Sequence, residues 1–241
     1  MLSVFLTTRG IFVRHSDLDA VRALPLFCSM SEDNFSKLAT AAVLQEFPQH
    51  MELITEGTLP HFLHIVIQGS VEMFCTHDGH ETTIDILRPM TAFVLAAVIR
   101  DDIYLSSARA LTFTQTISIP ALSVRDAFNN DFPFARAIAI ELAERYSGTV
   151  RSLKNEKLRT CAKRLANWIL HADAAQGNQR VIVLAFGKRT LAASLGMTPE
   201  NLSRSLARLS KYGVRISGRD IVIEDSFALE RFAKPSTLID G

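Results

Sequence analysis

Cysteine is scarce in this sequence. Cys28, Cys75 and Cys161 are odd in number and widely separated, so no disulfide framework is implied and a reducing compartment fits. Long apolar runs are missing too: the longest, residues 91–99, falls far short of the roughly 20 residues of a membrane-spanning helix. Residues 1–13 include a short apolar run, yet no positive region precedes it and no small-residue cleavage site follows, so it does not read as a signal peptide. These absences predict a soluble, cytoplasmic protein with no membrane partner. Catalytic signatures are absent as well. None of the seven histidines has the spacing of a zinc hydrolase motif, and no Ser/His/Asp, Cys/His or paired-carboxylate set stands out. The chain does not read as an enzyme, and no metal site is expected.

The net charge of +1 hides an asymmetry. Residues 1–130 carry 8 Lys+Arg against 14 Asp+Glu, a balance of −6. Residues 180–219 carry Arg180, Lys188, Arg189, Arg204, Arg208, Lys211, Arg215 and Arg219 against Glu200 alone, a balance of +7. A basic stretch beside an acidic remainder is the footprint of a module that binds a polyanion. A solvated basic helix would give the same count, so charge alone does not decide.

The texture of the chain changes twice. Residues 16–24 and 31–42 read as short helices, the second with Ser31 as its N-cap and Phe35, Leu38 and Ala42 at helical spacing. Short β-type segments follow, punctuated by Pro48, Gly57, Pro60, Gly69, Asp78-Gly79 and Pro89. Strands are expected over 64–67, 71–75, 82–87, 107–111 and 114–119, with Asp78-Gly79 as a hairpin turn. From Pro133 the period lengthens. Phe134, Ile138, Leu142, Arg145, Thr149 and Leu153 track one stripe of a long helix, the pattern of a helix that pairs with its own copy; packing within its own domain is the alternative. A further helix is expected over 156–175, stopped near Gly177.

The end of the chain is the most informative part. A short helical segment over 188–195 closes at Gly196-Met197. Thr198 then stands as N-cap, Pro199 at the first helical position and Glu200 in the first turn of a helix running to about Lys211. Two helices joined by a tight turn containing glycine are a helix-turn-helix signature. Leu191, Leu195, Leu202, Leu206 and Leu209 make the buried face, and residues 213–216 and 221–223 make a hairpin wing.

Residues 191–225, LAASLGMTPENLSRSLARLSKYGVRISGRDIVIED, resemble the winged helix of the CRP/FNR family of bacterial regulators. ELITEGTLPHFLHIVIQGSVEMF, residues 52–74, resembles the glycine-punctuated β-roll of the same family. The likeness runs from about Leu24 to Ala233 in the family's order. It implies an α+β fold: an N-terminal β-roll of the cyclic-nucleotide-binding type (16–130), a dimerisation helix (131–155) and a C-terminal winged helix-turn-helix (156–234). Glu200, Ser203 and Arg204 stand where the FNR branch carries its base-reading set. Their chemistry fits: arginine can grip guanine with two hydrogen bonds, glutamate can accept from cytosine N4, and serine can reach a base edge. Lys188, Arg189, Thr198, Asn201 and Arg208 are assigned to the phosphate backbone. The implied partners are double-stranded DNA, RNA polymerase and a second copy of the chain, and the implied role is a transcription regulator, read as an activator.

For the signal, the resemblance first excludes. Family members that bind cyclic AMP open their phosphate cassette with Gly-Glu and close it with Arg-Ser; here the matching stretches read Thr91-Ala92-Phe93-Val94-Leu95-Ala96 and Tyr104-Leu105-Ser106-Ser107. No cyclic AMP site is expected. Three scattered cysteines cannot supply the four thiolates of an iron–sulfur cluster. Phe74-Cys75-Thr76-His77 resembles in letters the haem-ligating stretch of a carbon-monoxide sensor, but it lies on a hairpin arm rather than in the cassette. Residues 93–128 resemble the NnrR-type, nitric-oxide-responsive branch associated with denitrification. That likeness implies a response to nitric oxide or low oxygen, with haem as a cofactor and His61, His64, His77 and Tyr104 as donors. No spacing selects among them, and a packing or surface role stands as the alternative. A different small-molecule effector, or a regulatory module that does not bind DNA, are the rival readings.

Overall fold

The computed structural model describes residues 13–218 and 220–240. Residues 1–12, most of the segment weighed as a signal peptide, and Arg219, counted in the basic stretch, lie outside the described residues. The chain divides into two compact units, Met1–Arg145 and Tyr146–Gly241.

In the first unit, α1 (His15–Arg22) and α2 (Glu32–Ala41) precede eight strands. One sheet orders β1 (Val43–Phe47), β8 (Thr114–Pro120), β3 (Phe62–Gln68) and β6 (Ala92–Phe93). The other orders β2 (Glu52–Ile54), β7 (Ser107–Ala110), β4 (Val71–His77) and β5 (His80–Leu87), and the neighbouring strands of both sheets pair antiparallel. The β4–β5 hairpin turns at Asp78 and Gly79, both in the left-handed region at φ 50° and 74°, as a two-residue primed turn requires. Gly69 closes the preceding turn at φ +85°, where a Cβ would stand 2.3 Å from the Phe113 carbonyl oxygen.

The alternation of β3 feeds two cores. Leu63 and Ile65 join Ile117 and Ile119 under the helices, with Phe27, Leu38 and Phe134. Val66 faces the other way, into the roll, with Ile54, Val71, Leu87, Phe93, Tyr104 and Ala108. The apolar run at 91–99 becomes β6 and α3 (Leu95–Arg100), whose Leu95 and Val98 are buried. Helix α4 (Ala121–Asn130) leads into α5 (Phe132–Leu158).

Ser31 occupies the N-cap position of α2 but makes no side-chain cap. Its hydroxyl donates instead to the Asp131 carboxylate at 2.7 Å.

The second unit contains the rest of α5, then α6 (Cys161–Ala175), α7 (Lys188–Ser194), α8 (Pro199–Leu209), a 3-10 turn (Ser210–Tyr212), α9 (Ser226–Ala233) and α10 (Thr237–Asp240). The helix expected from 156 breaks at Arg159-Thr160. Arg164 donates to the carbonyls of Glu156 and Arg159 at 3.0 and 3.1 Å, satisfying the open end of α5 so that a new helix can begin. The hairpin of β10 (Val214–Ser217) and β11 (Asp220–Ile223) gains a third strand, β9 (Val181–Val183). A strand of three residues is too short a run to announce itself.

Candidate nucleic-acid interface

The chemistry of the second unit concentrates on α8. Thr198 caps the helix, its Oγ1 accepting from the Asn201 backbone N–H at 3.3 Å, and Pro199 follows at the first position. The turn before it needs Gly196 at φ +60°, where a Cβ would come within 2.8 Å of Glu156 Oε1. On the inner face Leu202, Ser205 and Leu209 are buried beside Leu191 and Ala192 of α7. The opposite face carries Glu200, Ser203, Arg204 and Arg208, all exposed. One helix thus spends its apolar side on its own unit and offers a polar side outward.

Those side chains are held in place locally. Ser203 Oγ donates to the Pro199 carbonyl at 3.0 Å, and Arg204 Nε reaches the Glu200 carbonyl at 3.4 Å. The Thr198 hydroxyl, the first-turn N–H of Glu200 itself and the Arg204 charge hold the Glu200 carboxyl below its ordinary value, so it is ionised and acts as an acceptor. Lys188 and Arg189 are exposed in the first turn of α7. Arg208 lies 5.3 Å over the Phe232 ring, which stacks on Tyr212 at 4.3 Å. This aromatic support for Arg208 comes from α9 and was not legible in the sequence. In the wing, Arg215 is paired with Glu224 at 2.8 Å.

The stripe expected to join two copies is corrected in its upper half. Phe134 and Ile138 are 0% and 1% exposed within the first unit's own core, with Leu142 packed against it. Arg145 donates to Glu141 at 2.8 Å and to the Ala92 carbonyl. Phe134 is stacked on Phe27 at 5.6 Å. Phe134 and Ile138 are taken up by this core, whereas Leu142 and Arg145 stay partly exposed. Thr149 and Leu153 are exposed. α5 leaves Phe132, Ile140, Tyr146, Val150, Leu153 and Leu158 exposed; of these Tyr146, Val150 and Leu153 share one side of the helix, and Leu153 belongs to the expected stripe.

The four expected haem donors do not form one site. His64 is buried, stacked on Phe93 at 5.3 Å and bonded through Nδ1 to Ser118 Oγ at 2.8 Å. Burial lowers its pKa to about 4, so it is neutral. His77 stands exposed at the hairpin tip beside Asp78, and His61 is exposed as well. Tyr104 is buried in the roll; burial pushes its hydroxyl up, against hydrogen bonds from the backbone of His61 and Phe62. His64 and Tyr104 thus lie inside and His61 and His77 at the surface; the four do not form one cluster, and a haem iron would take one or two of them at most. Cys75 is likewise a structural thiol: its Sγ donates to the Leu105 carbonyl at 3.3 Å, and burial, with Glu56 nearby, pushes its pKa up. Among the described residues no group of three or more His, Cys, Asp or Glu could hold a metal ion, and no helix is long and apolar enough to cross a membrane.

The cassette lacks the Gly-Glu and Arg-Ser ends of the cyclic-nucleotide binders. Leu95-Ala96 and Ser106-Ser107 stand at its two ends. Ser107 Oγ accepts from the Glu56 backbone N–H at 3.0 Å. The arginine of β7, Arg109, alternates to the face opposite Ala108 and is held by Glu72 at 2.7 Å and by Glu81 at 2.7 and 3.0 Å.

Two family models match the chain: the cyclic nucleotide-binding domain over residues 44–131 and the Crp-like helix-turn-helix domain over residues 163–232. Among solved structures, the chain is similar to FixK2 from Bradyrhizobium japonicum, with 20% identity, 81% of this chain and 99% of that one covered, and a TM-score of 0.71. A transcriptional regulator assigned to the crp/fnr family from Eubacterium rectale gives 21% identity, 88% and 99% coverage and a TM-score of 0.73. A protein described as a cAMP-binding regulatory protein from Silicibacter pomeroyi gives 25% identity, 92% and 100% coverage and a TM-score of 0.61. Comparison with curated proteins returned no match.

Proposed function

We propose that the chain is a DNA-binding transcription regulator of the CRP/FNR type, which reads a two-fold palindrome as a homodimer and activates transcription with RNA polymerase in response to nitric oxide or low oxygen; its cyclic nucleotide-binding and Crp-like helix-turn-helix matches support this reading. The family is one of regulators rather than enzymes. The observation that carries the DNA-reading part is the outer face of α8, where Glu200, Ser203 and Arg204 project together opposite the buried Leu202 and Leu209. A helix so arranged can place three polar side chains on the floor of a major groove.

Pairing two copies along the open side of α5 that carries Tyr146, Val150 and Leu153 gives the two-fold axis. Half-sites related to TTGA(T/C) then lie about one helical turn apart, roughly 10 bp centre to centre. A salt-dependent gel shift with such a palindrome is the test. Displacing one half-site by half a turn abolishes tight binding; undiminished affinity overturns the dimeric reading, and no binding at low salt overturns DNA recognition itself.

The signal is proposed on the likeness of residues 93–128 to the NnrR-type branch. A largely apolar cassette that lacks the Gly-Glu and Arg-Ser ends supports an effector other than cyclic AMP. Haem as the carrier of that signal needs an axial ligand from among His61, His64, His77 and Tyr104, and direct reconstitution tests it. Anaerobic addition of haem, followed by nitric oxide, with DNA affinity measured in parallel, decides it. A Soret band whose shift changes DNA affinity supports haem as the carrier, and absence of uptake removes it.

A further inference from the structure

The segment that follows α9 is fastened to the joint between α5 and α6. Arg159 lies at that joint with its side chain only 6% exposed, and it donates from both terminal nitrogens to the Asp240 carboxylate at 2.5 and 2.7 Å. The same carboxylate accepts the Ser236 backbone N–H at 2.6 Å, which closes the short α10 on itself. From the last turns of α5, Lys154 donates to the Leu238 carbonyl at 2.9 Å. Two-pronged arginine–carboxylate contacts fix geometry as well as charge, and a half-exposed substitute would not.

Arg164 grips the same joint from the helix-turn-helix side. Besides the ends of α5 it binds the carbonyls of Leu195 and Gly196, each at 2.9 Å, at the turn before α8. Two arginines thus link the last turns of α5 to the rest of the unit; Arg159 takes its carboxylate partner from residues 236–240, beside weaker contacts to Asn155 Oδ1 at 3.2 Å and the Lys234 carbonyl at 3.5 Å.

We propose that Arg159 and Asp240 are positioning residues for DNA reading: residues 236–240 brace the α5–α6 joint and so set the half-site spacing at which two recognition helices meet a palindrome. The inference rests on the dimeric reading above. If α5 carries the two-fold axis, a change of angle at its end is carried outward to α8 in both copies. Neither residue touches DNA; they act through the joint.

The test uses the full chain, the variants Asp240→Ala and Asp240→Glu, and a variant lacking residues 236–240, in which Arg159 can reach water. Binding is compared on three palindromes, one at the best spacing and the others one base pair shorter and longer. The unaltered protein and Asp240→Glu prefer the best spacing by about tenfold, whereas Asp240→Ala and the deletion bind all three within about threefold. In parallel, amide hydrogen exchange over residues 156–162 accelerates about tenfold in those two variants while residues 202–209 keep their rates. Unchanged exchange at the joint, equal acceleration at 202–209, or a spacing preference that survives the deletion overturns the brace. An unaltered protein with no spacing preference overturns the dimeric reading instead, and the exchange measurement still decides whether the joint is braced.

Discussion

Ser31 and Asp131, a hundred residues apart in sequence, are joined twice: the Ser31 hydroxyl and its backbone N–H donate to one carboxylate oxygen at 2.7 and 2.9 Å. The other oxygen accepts the Phe134 backbone N–H at 2.9 Å. One buried carboxylate therefore serves the first turns of both α2 and α5. Burial alone would raise its pKa, but hydrogen bonds from Ser31, Asn34 and Phe134 overcome that and hold it at about 2, against an ordinary 3.8.

The sign of the pH dependence follows. The folded state binds this proton less readily than the unfolded chain, so the stabilisation is complete above about pH 4 and lost as pH falls towards 2. The amount is on the order of 2 kcal/mol. Asp131→Asn should remove most of it at neutral pH and flatten the curve between pH 4 and 2. Urea unfolding of both proteins across that range checks this, and parallel curves would refute it.

The two faces of α5 should separate cleanly. Phe134→Ala empties a fully buried site and should cost about 3–5 kcal/mol of stability in the first unit, without altering oligomeric state once the protein is folded. Val150→Asp places a charge on the open face and should yield folded monomers with little change in melting temperature. Sedimentation equilibrium beside thermal melting distinguishes the two. A monomeric Phe134→Ala and a dimeric Val150→Asp would reverse the assignment.

Within the DNA face, Arg204→Ala and Glu200→Ala should relax preference at particular base positions, each by roughly 1–3 kcal/mol. Lys188→Ala should weaken every sequence alike and reduce the salt slope by about one unit. Binding of a half-site library at several salt concentrations reads both quantities. If Arg204→Ala weakens all sequences equally, Arg204 is a phosphate contact.

Cyclic AMP should leave the protein unchanged. A ligand that binds only the folded state adds about 2.7 kcal/mol at 100 times its dissociation constant. Leu95-Ala96 and Ser106-Ser107 stand in place of the Gly-Glu and Arg-Ser ends, and Arg109 is held by Glu72 and Glu81. A clear rise in melting temperature at millimolar cyclic AMP would overturn this.

Local chemistry wrote itself into the sequence wherever a few adjacent residues suffice. Thr198-Pro199 start a helix because a capping hydroxyl and a ring without an N–H both suit a first turn, and α8 begins there. Asp78-Gly79 turn a hairpin because both tolerate positive φ. The leucines of α8 declare its buried side, and with it the side carrying Glu200, Ser203 and Arg204. What the sequence could not decide was which surface each buried stripe would cover. The period of Phe134 and Ile138 predicts an apolar face; only the folded β-roll, with Phe27 stacked against Phe134, makes that face internal and leaves Val150 and Leu153 outside. Periodicity reports that a side chain is to be hidden from water, and it carries no address for the partner. The same holds for the long-range polar contacts. Ser31 looks like a cap for its own helix until Asp131 arrives, and His64 looks like a ligand until Ser118 and Phe93 enclose it. Those pairings join residues remote in sequence, and tertiary packing alone brings them within hydrogen-bonding distance.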